Sequence, residues 1–109
     1  MTILIYTDRG EDLYESFDYL IKGIREHIDE KKWKAECSHS RILIKSKTDS
    51  KELLIVGRCV ELTKVRGLKP DCLYTTSSQI AEYMKISGVT FLYSLAMVKA
   101  VALNFTKEK

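Results

Sequence analysis

Two aspartates stand where an α/β chain often keeps its chemistry. Asp8 follows the apolar run Ile3-Leu4-Ile5-Tyr6, and Asp71 immediately precedes Cys72-Leu73-Tyr74-Thr75. If the fold brought them together, the two carboxylates could share a magnesium ion, a hard cation that prefers oxygen ligands. A small magnesium-dependent enzyme using Asp8 and Asp71 is therefore one function the chain allows. No residue has the setting of a catalytic nucleophile or base, and no cofactor is expected.

Other chemistry fares worse. A phosphate-cradling loop needs glycines that let backbone N–H groups converge, a lysine, and a hydroxyl for magnesium. The turn Thr7-Asp8-Arg9-Gly10-Glu11-Asp12 offers one glycine and no lysine. Its three carboxylates would repel a desolvated phosphate by on the order of several kcal/mol. His27 and His39 lie in different elements, and Cys37, two residues before His39, has no third group to orient such a pair. Cys59 and Cys72 lie within or beside apolar strands, where an inert buried thiol is the expectation. Three cysteines without a CxxC spacing argue against a disulfide framework or structural zinc and suit a reducing cytoplasm.

The charge pattern says more. Residues 1–30 carry a net −5, residues 31–69 a net +7, and the remainder a net +1, within an overall +3. Arg41, Lys45, Lys47 and Lys51 decorate one stretch of the basic middle; Arg58, Lys64, Arg66 and Lys69 decorate another. Such a segment can bind nucleic acid or a protein partner, with Trp33 and Tyr74 stacking on bases if exposed. Two plainer uses compete: neutralisation by the acidic first helix of the same molecule, and lysine protection of an exposed hairpin.

The elements that must position these residues are legible in outline. The 109 residues make one α/β domain, 1–109, with 45% apolar and 30% charged residues. Ile3 to Tyr6 reads as a strand buried on both faces. Leu13, Phe17, Leu20, Ile21, Ile24 and Ile28 keep helical spacing, with Glu11, Asp12 and Glu15 gathered at the helix start. Strands are expected near Ala35–Ser38, over Arg41–Lys45 and Glu52–Val56 around the polar turn Ser46–Lys51, and over Cys72–Thr75. Thr76 and Gln79 form a capping box for a second helix through Ile86, which Gly88 stops. The tail from Val89 to Phe105 is apolar apart from Lys99, too short and broken to span a membrane. It reads as a buried or interface-forming helix, with a strand over Val89–Tyr93 as the other option. Phe91, Leu95, Met97 and Val101 would line a homo-oligomer interface if the tail is shared between copies. No leader is apparent ahead of Ile3, which with the cysteines suggests a cytoplasmic protein. The expected fold is a two- or three-layer sandwich with a mixed sheet of about five strands and two to three helices.

The order strand, Arg9-Gly10 turn, long helix, hairpin, and then Arg66-Gly67-Leu68-Lys69-Pro70-Asp71 feeding an apolar strand resembles a compressed ATPase core of phage large-terminase subunits and related P-loop helicase-like proteins. The resemblance spans roughly residues 1–80 and rests mainly on the RGLKPD phrase. It departs at the catalytic positions. Glu11 and Asp12 follow Arg9-Gly10 where the Walker A Gly-Lys-Thr/Ser would stand, and Thr75, Thr76 and Ser77 replace the Walker B acids. The resemblance therefore implies a non-hydrolysing, phage- or mobile-element-type relative that binds nucleic acid or a protein partner.

Overall fold

The computed structural model describes residues 1–59, 69–85 and 88–107. Chain order gives β1 (Thr2–Tyr6), α1 (Gly10–His27), β2 (Trp33–Ser38), β3 (Arg41–Ser46), β4 (Glu52–Arg58), β5 (Cys72–Thr75), α2 (Ser78–Lys85), β6 (Thr90–Phe91) and α3 (Leu95–Lys107). The unbroken apolar run of β1 has a direct cause. β1 lies inside a six-stranded sheet of order β2-β3-β4-β1-β5-β6, parallel to both neighbours, with Ile3 beside Ile55 and Cys72. Ile3 and Ile5 enter the core on one face; Leu4 and Tyr6 enter the core on the other. β6 continues the parallel set, while β3 and β2 add an antiparallel hairpin on β4. The sheet is mixed, as expected, but has six strands rather than five, because the Val89–Tyr93 option is realised as β6.

Helices cover both faces, so the sandwich has three layers. α1 buries Leu13, Phe17, Leu20 and Ile24 against the sheet. Each such side chain contributes about 1.5–3 kcal/mol by leaving water. α1 ends at Ile28, whose N–H still donates to Ile24 O. The helix sits close to the sheet at Gly57, where a Cβ would lie 2.7 Å from Phe17 and 2.8 Å from Leu13. On the opposite face α2 places Ile80 over Leu4, Tyr6, Val56 and Leu73. Its N-cap is Ser77, whose Oγ accepts the Ile80 N–H, while Thr75 Oγ1 accepts the Ser77 N–H. Ser77 rather than Thr76 is thus the cap, and with Ile80 three residues on the expected reciprocal box with Gln79 does not form. Gly88 carries φ +76°, a left-handed conformation that glycine adopts without strain.

The C-terminal tail resolves into β6 and then α3. One α-helix is about 10 Å wide, whereas six strands about 4.8 Å apart span some 24 Å. α1 therefore cannot cover its face alone, and α3 lies beside it. Val98 and Ala102 are fully buried, and Phe105 packs on Trp33 with ring centroids 5.5 Å apart. The stem of Lys99 lies against Gly23, and its ammonium stands 5.2 Å from the Tyr19 ring centroid. Of the residues expected at an oligomer interface, Leu95 and Val101 pack on this core and Phe91 packs on the α2 side. Only Met97 is well exposed, at 40%. The tail's apolar surface is buried mainly within the chain. No helix among the described residues is long and apolar enough to cross a membrane.

Candidate functional site

Parallel pairing of β1 with β5 separates the two aspartates. The register sets Ile3 beside Cys72 and Tyr6 beside Thr75. Asp71 therefore lies at the end where the strands begin, and Asp8 lies past the end where β1 finishes. Five residues of strand hold them about 16 Å apart along the sheet. Asp71 is engaged at its own end: its N–H donates to Thr2 O, and its Oδ2 accepts the Thr2 N–H, both at 2.8 Å. The shared magnesium site that the two aspartates would have allowed is not assembled. Among the described residues no group of three or more His, Cys, Asp or Glu side chains could hold a metal.

The end where the parallel strands finish carries a cleft. The chain leaves β1 for α1 on one face and leaves β5 for α2 on the other, so β1 and β5 flank a switch point, the usual place for a ligand crevice. The cleft there measures about 370 Å³ and is lined by Thr7, Asp12, Glu15, Ser16, Tyr74, Thr76 and Leu95. Two of its hydroxyls are committed locally: Thr7 donates to Arg9 O and Ser16 to Asp12 O. Among the described residues its lining holds two carboxylates and no histidine, cysteine, lysine or arginine. A nucleophile with its base is missing from it, and the carboxylates disfavour an anion. Nearby, burial and then the charges of Asp8 and Cys59 raise the Tyr6 phenol pKa above its ordinary 10.0. Cys59 is exposed rather than buried as expected, its Sγ 3.9 Å from where a Cβ on Gly10 would stand. Cys72 is buried, and burial together with Asp71 raises its thiol pKa.

The basic residues divide between the two ends of the sheet. Arg58 sits beside Tyr6, and Arg41 beside Val56, toward the cleft end. Lys45 pairs with Glu52 at the start of β4, and Lys47 and Lys51 occupy the adjoining turn. Lys69 precedes Asp71 at that same end. Lys64 and Arg66 lie outside the described residues. The fold adds three lysines to the set expected from sequence. Lys31 and Lys32 lead into β2, and Lys34 stands directly across from Lys45. Lys31, Lys32, Lys34, Lys45, Lys47 and Lys51 line this end, and all six are exposed. One sequence cue could have found the three: Lys31-Lys32-Trp33-Lys34 opens a strand that hairpin alternation brings back beside Lys45.

Acids do not cancel this cluster from a distance. α1 begins where β1 ends, so Glu11, Asp12 and Glu15 stand roughly 18–24 Å along the helix from its lysine-side end. Arg9–Glu11, Asp18–Lys22 and Lys34–Glu36 form salt bridges, each within four residues in sequence. Nearer acids are interspersed with the lysines: Glu52 faces Lys45, Asp29 Oδ1 accepts the Lys31 N–H and Asp49 Oδ1 the Lys51 N–H. Lys47 Nζ donates to Glu30 O at 2.6 Å, which ties that side chain to the backbone. The expected aromatic platform is missing its main member, because Trp33 is only 2% exposed and belongs to the core. Tyr74 is half-buried in the same core. Comparison of the chain with protein-family models, with curated proteins and with solved structures found no match.

Proposed function

We propose that this chain is a non-catalytic binding module that engages a nucleic-acid backbone through the lysine-lined end of β2, β3 and β4. The observation that carries this reading is the gathering of six lysines around one end of the sheet, remote from the acidic start of α1. A surface of compact ammonium groups without an exposed aromatic platform suits phosphate contacts more than base readout. Binding should therefore depend little on sequence and strongly on salt. The phage- or mobile-element-type kinship, as a degenerate P-loop-like domain, fits this reading: β5 lies beside β1 and ends in Thr75-Thr76 where a hydrolase would need acids. The magnesium-enzyme alternative loses support with the separation of Asp8 and Asp71.

Fluorescence anisotropy with a labelled DNA duplex and a labelled single strand, titrated across potassium chloride, tests the reading. Affinity should fall steeply with salt, and Lys31→Glu/Lys45→Glu/Lys51→Glu should abolish binding while leaving the circular dichroism spectrum intact. No binding at low salt, or equal binding by the triple variant, would overturn it.

A further inference from the structure

β2 is one edge of the sheet, and its six residues contain no proline, glycine or interruption of register. Backbone groups of an antiparallel strand alternate in direction. The Lys47 N–H donates to Lys32 O, so the even residues of β2 face β3. Ala35 and Cys37 therefore turn their backbone groups outward, to the side where no further strand lies among the described residues. Open grooves of about 450 and 160 Å³ adjoin β2, one lined by Ile28, Trp33, Lys34 and Ala35 among others, the other lying over the β2–β3 hairpin between Glu36, Cys37, Arg41 and Leu43. The opposite edge, β6, is only two residues long.

We infer that a second copy of this chain occupies the β2 edge, pairing β2 with β2 antiparallel about a twofold axis through Ala35. Symmetry and charge select this register. A twofold that joins two sheet edges stands perpendicular to the sheet and preserves its faces, so paired residues must share a face. Centring on residue 34 would oppose Lys34 to Lys34, and centring on residue 36 would oppose Glu36 to Glu36. Centring on residue 37 leaves Lys34 beyond the other copy's strand. Centring on Ala35 places Lys34 of each copy across from Glu36 of the other, twice, with Ala35 against Ala35 between them. Lys34 and Glu36 already associate within one chain, at 3.5 Å, on the face that α2 packs on but outside the cluster around Ile80. Exchange between copies converts a local pair into a self-complementary one, and the two Ala35 residues bond N–H to O reciprocally. The expected product is a continuous sheet built from both copies.

Charged side chains on edge strands, lysines above all, also guard against such pairing, and sedimentation velocity of the full chain separates the two roles. The wild-type chain should sediment as a dimer. Lys34→Glu sets a carboxylate against Glu36 of the other copy and should give a monomer. Within the chain the same change sets a carboxylate opposite Lys45, so the fold is favoured rather than strained. Lys34→Glu/Glu36→Lys restores opposite charges between copies and should restore the dimer. A wild-type chain that stays monomeric as concentration rises would overturn the inference. So would a Lys34→Glu variant that remains dimeric, or a double variant that stays monomeric.

Discussion

Lys34 and Lys45 face each other directly across β2 and β3, two like charges on the face that α2 packs on but outside the cluster around Ile80. Like charges in that position oppose strand pairing, by about 0.2–1 kcal/mol relative to a neutral pair. Glu52 faces Lys45 on its other side, so Lys45→Thr should change the unfolding free energy by no more than about that amount in urea titration. The same substitution should lower the salt slope of nucleic-acid binding by about one unit, the loss of one phosphate contact. A gain in stability with a loss of binding would mark the pair as kept for function.

Gly57 marks the closest approach of α1 to the sheet. A methyl group there would press on Phe17 and Leu13, both buried and held by the helix. Gly57→Ala should destabilise the protein by about 1–3 kcal/mol, the range for overpacking a core. Urea unfolding followed by Trp33 fluorescence would measure it, since the indole is buried in the native state and exposed on unfolding.

α3 supplies a test of where its apolar surface goes. Val98 is fully buried and Met97 is 40% exposed, although they are neighbours in sequence. Val98→Asp should lose several kcal/mol or fail to fold, because the carboxylate would be buried without a partner. Met97→Glu should change stability by no more than about 0.5 kcal/mol, as surface substitutions usually do. Equal tolerance of both would show that α3 does not pack on the core in solution.

The thiols should differ in reactivity and in their effect at high pH. Cys59 is exposed, Cys37 partly so and Cys72 buried, so labelling by a disulfide reagent should follow that order. Cys72 and Tyr6 both have raised folded-state pKa values, from burial first and neighbouring negative charge second. The folded state then holds these protons more tightly than the unfolded chain does. Their contribution is fully present below the ordinary thiol and phenol pKa values of 9.0 and 10.0 and is lost as pH rises through the folded values. Urea midpoints should fall above about pH 9. Cys72→Ala should remove the thiol part of that fall while costing some packing at every pH.

Local pattern by itself determined much of this protein. The spacing of Leu13, Phe17, Leu20 and Ile24 specifies α1, because a 3.6-residue period admits one buried stripe. The unbroken run Ile3–Tyr6 announces an interior strand, and the polar Ser46–Lys51 stretch announces the turn between β3 and β4. The tertiary structure decided which distant residues meet. Whether Asp8 and Asp71 could share an ion depended on whether β1 and β5 run parallel, which neither strand encodes alone. The apolar tail could have been a strand or a helix; the structure makes it both, β6 and then α3, and seats Val98 and Ala102 of α3 beside α1 on the sheet. Trp33 has the chemistry of a stacking platform, but hairpin alternation turns it inward, and the same alternation turns Lys34 outward beside Lys45. Choices of this kind are made only through long-range pairing, whose register is a property of the whole sheet.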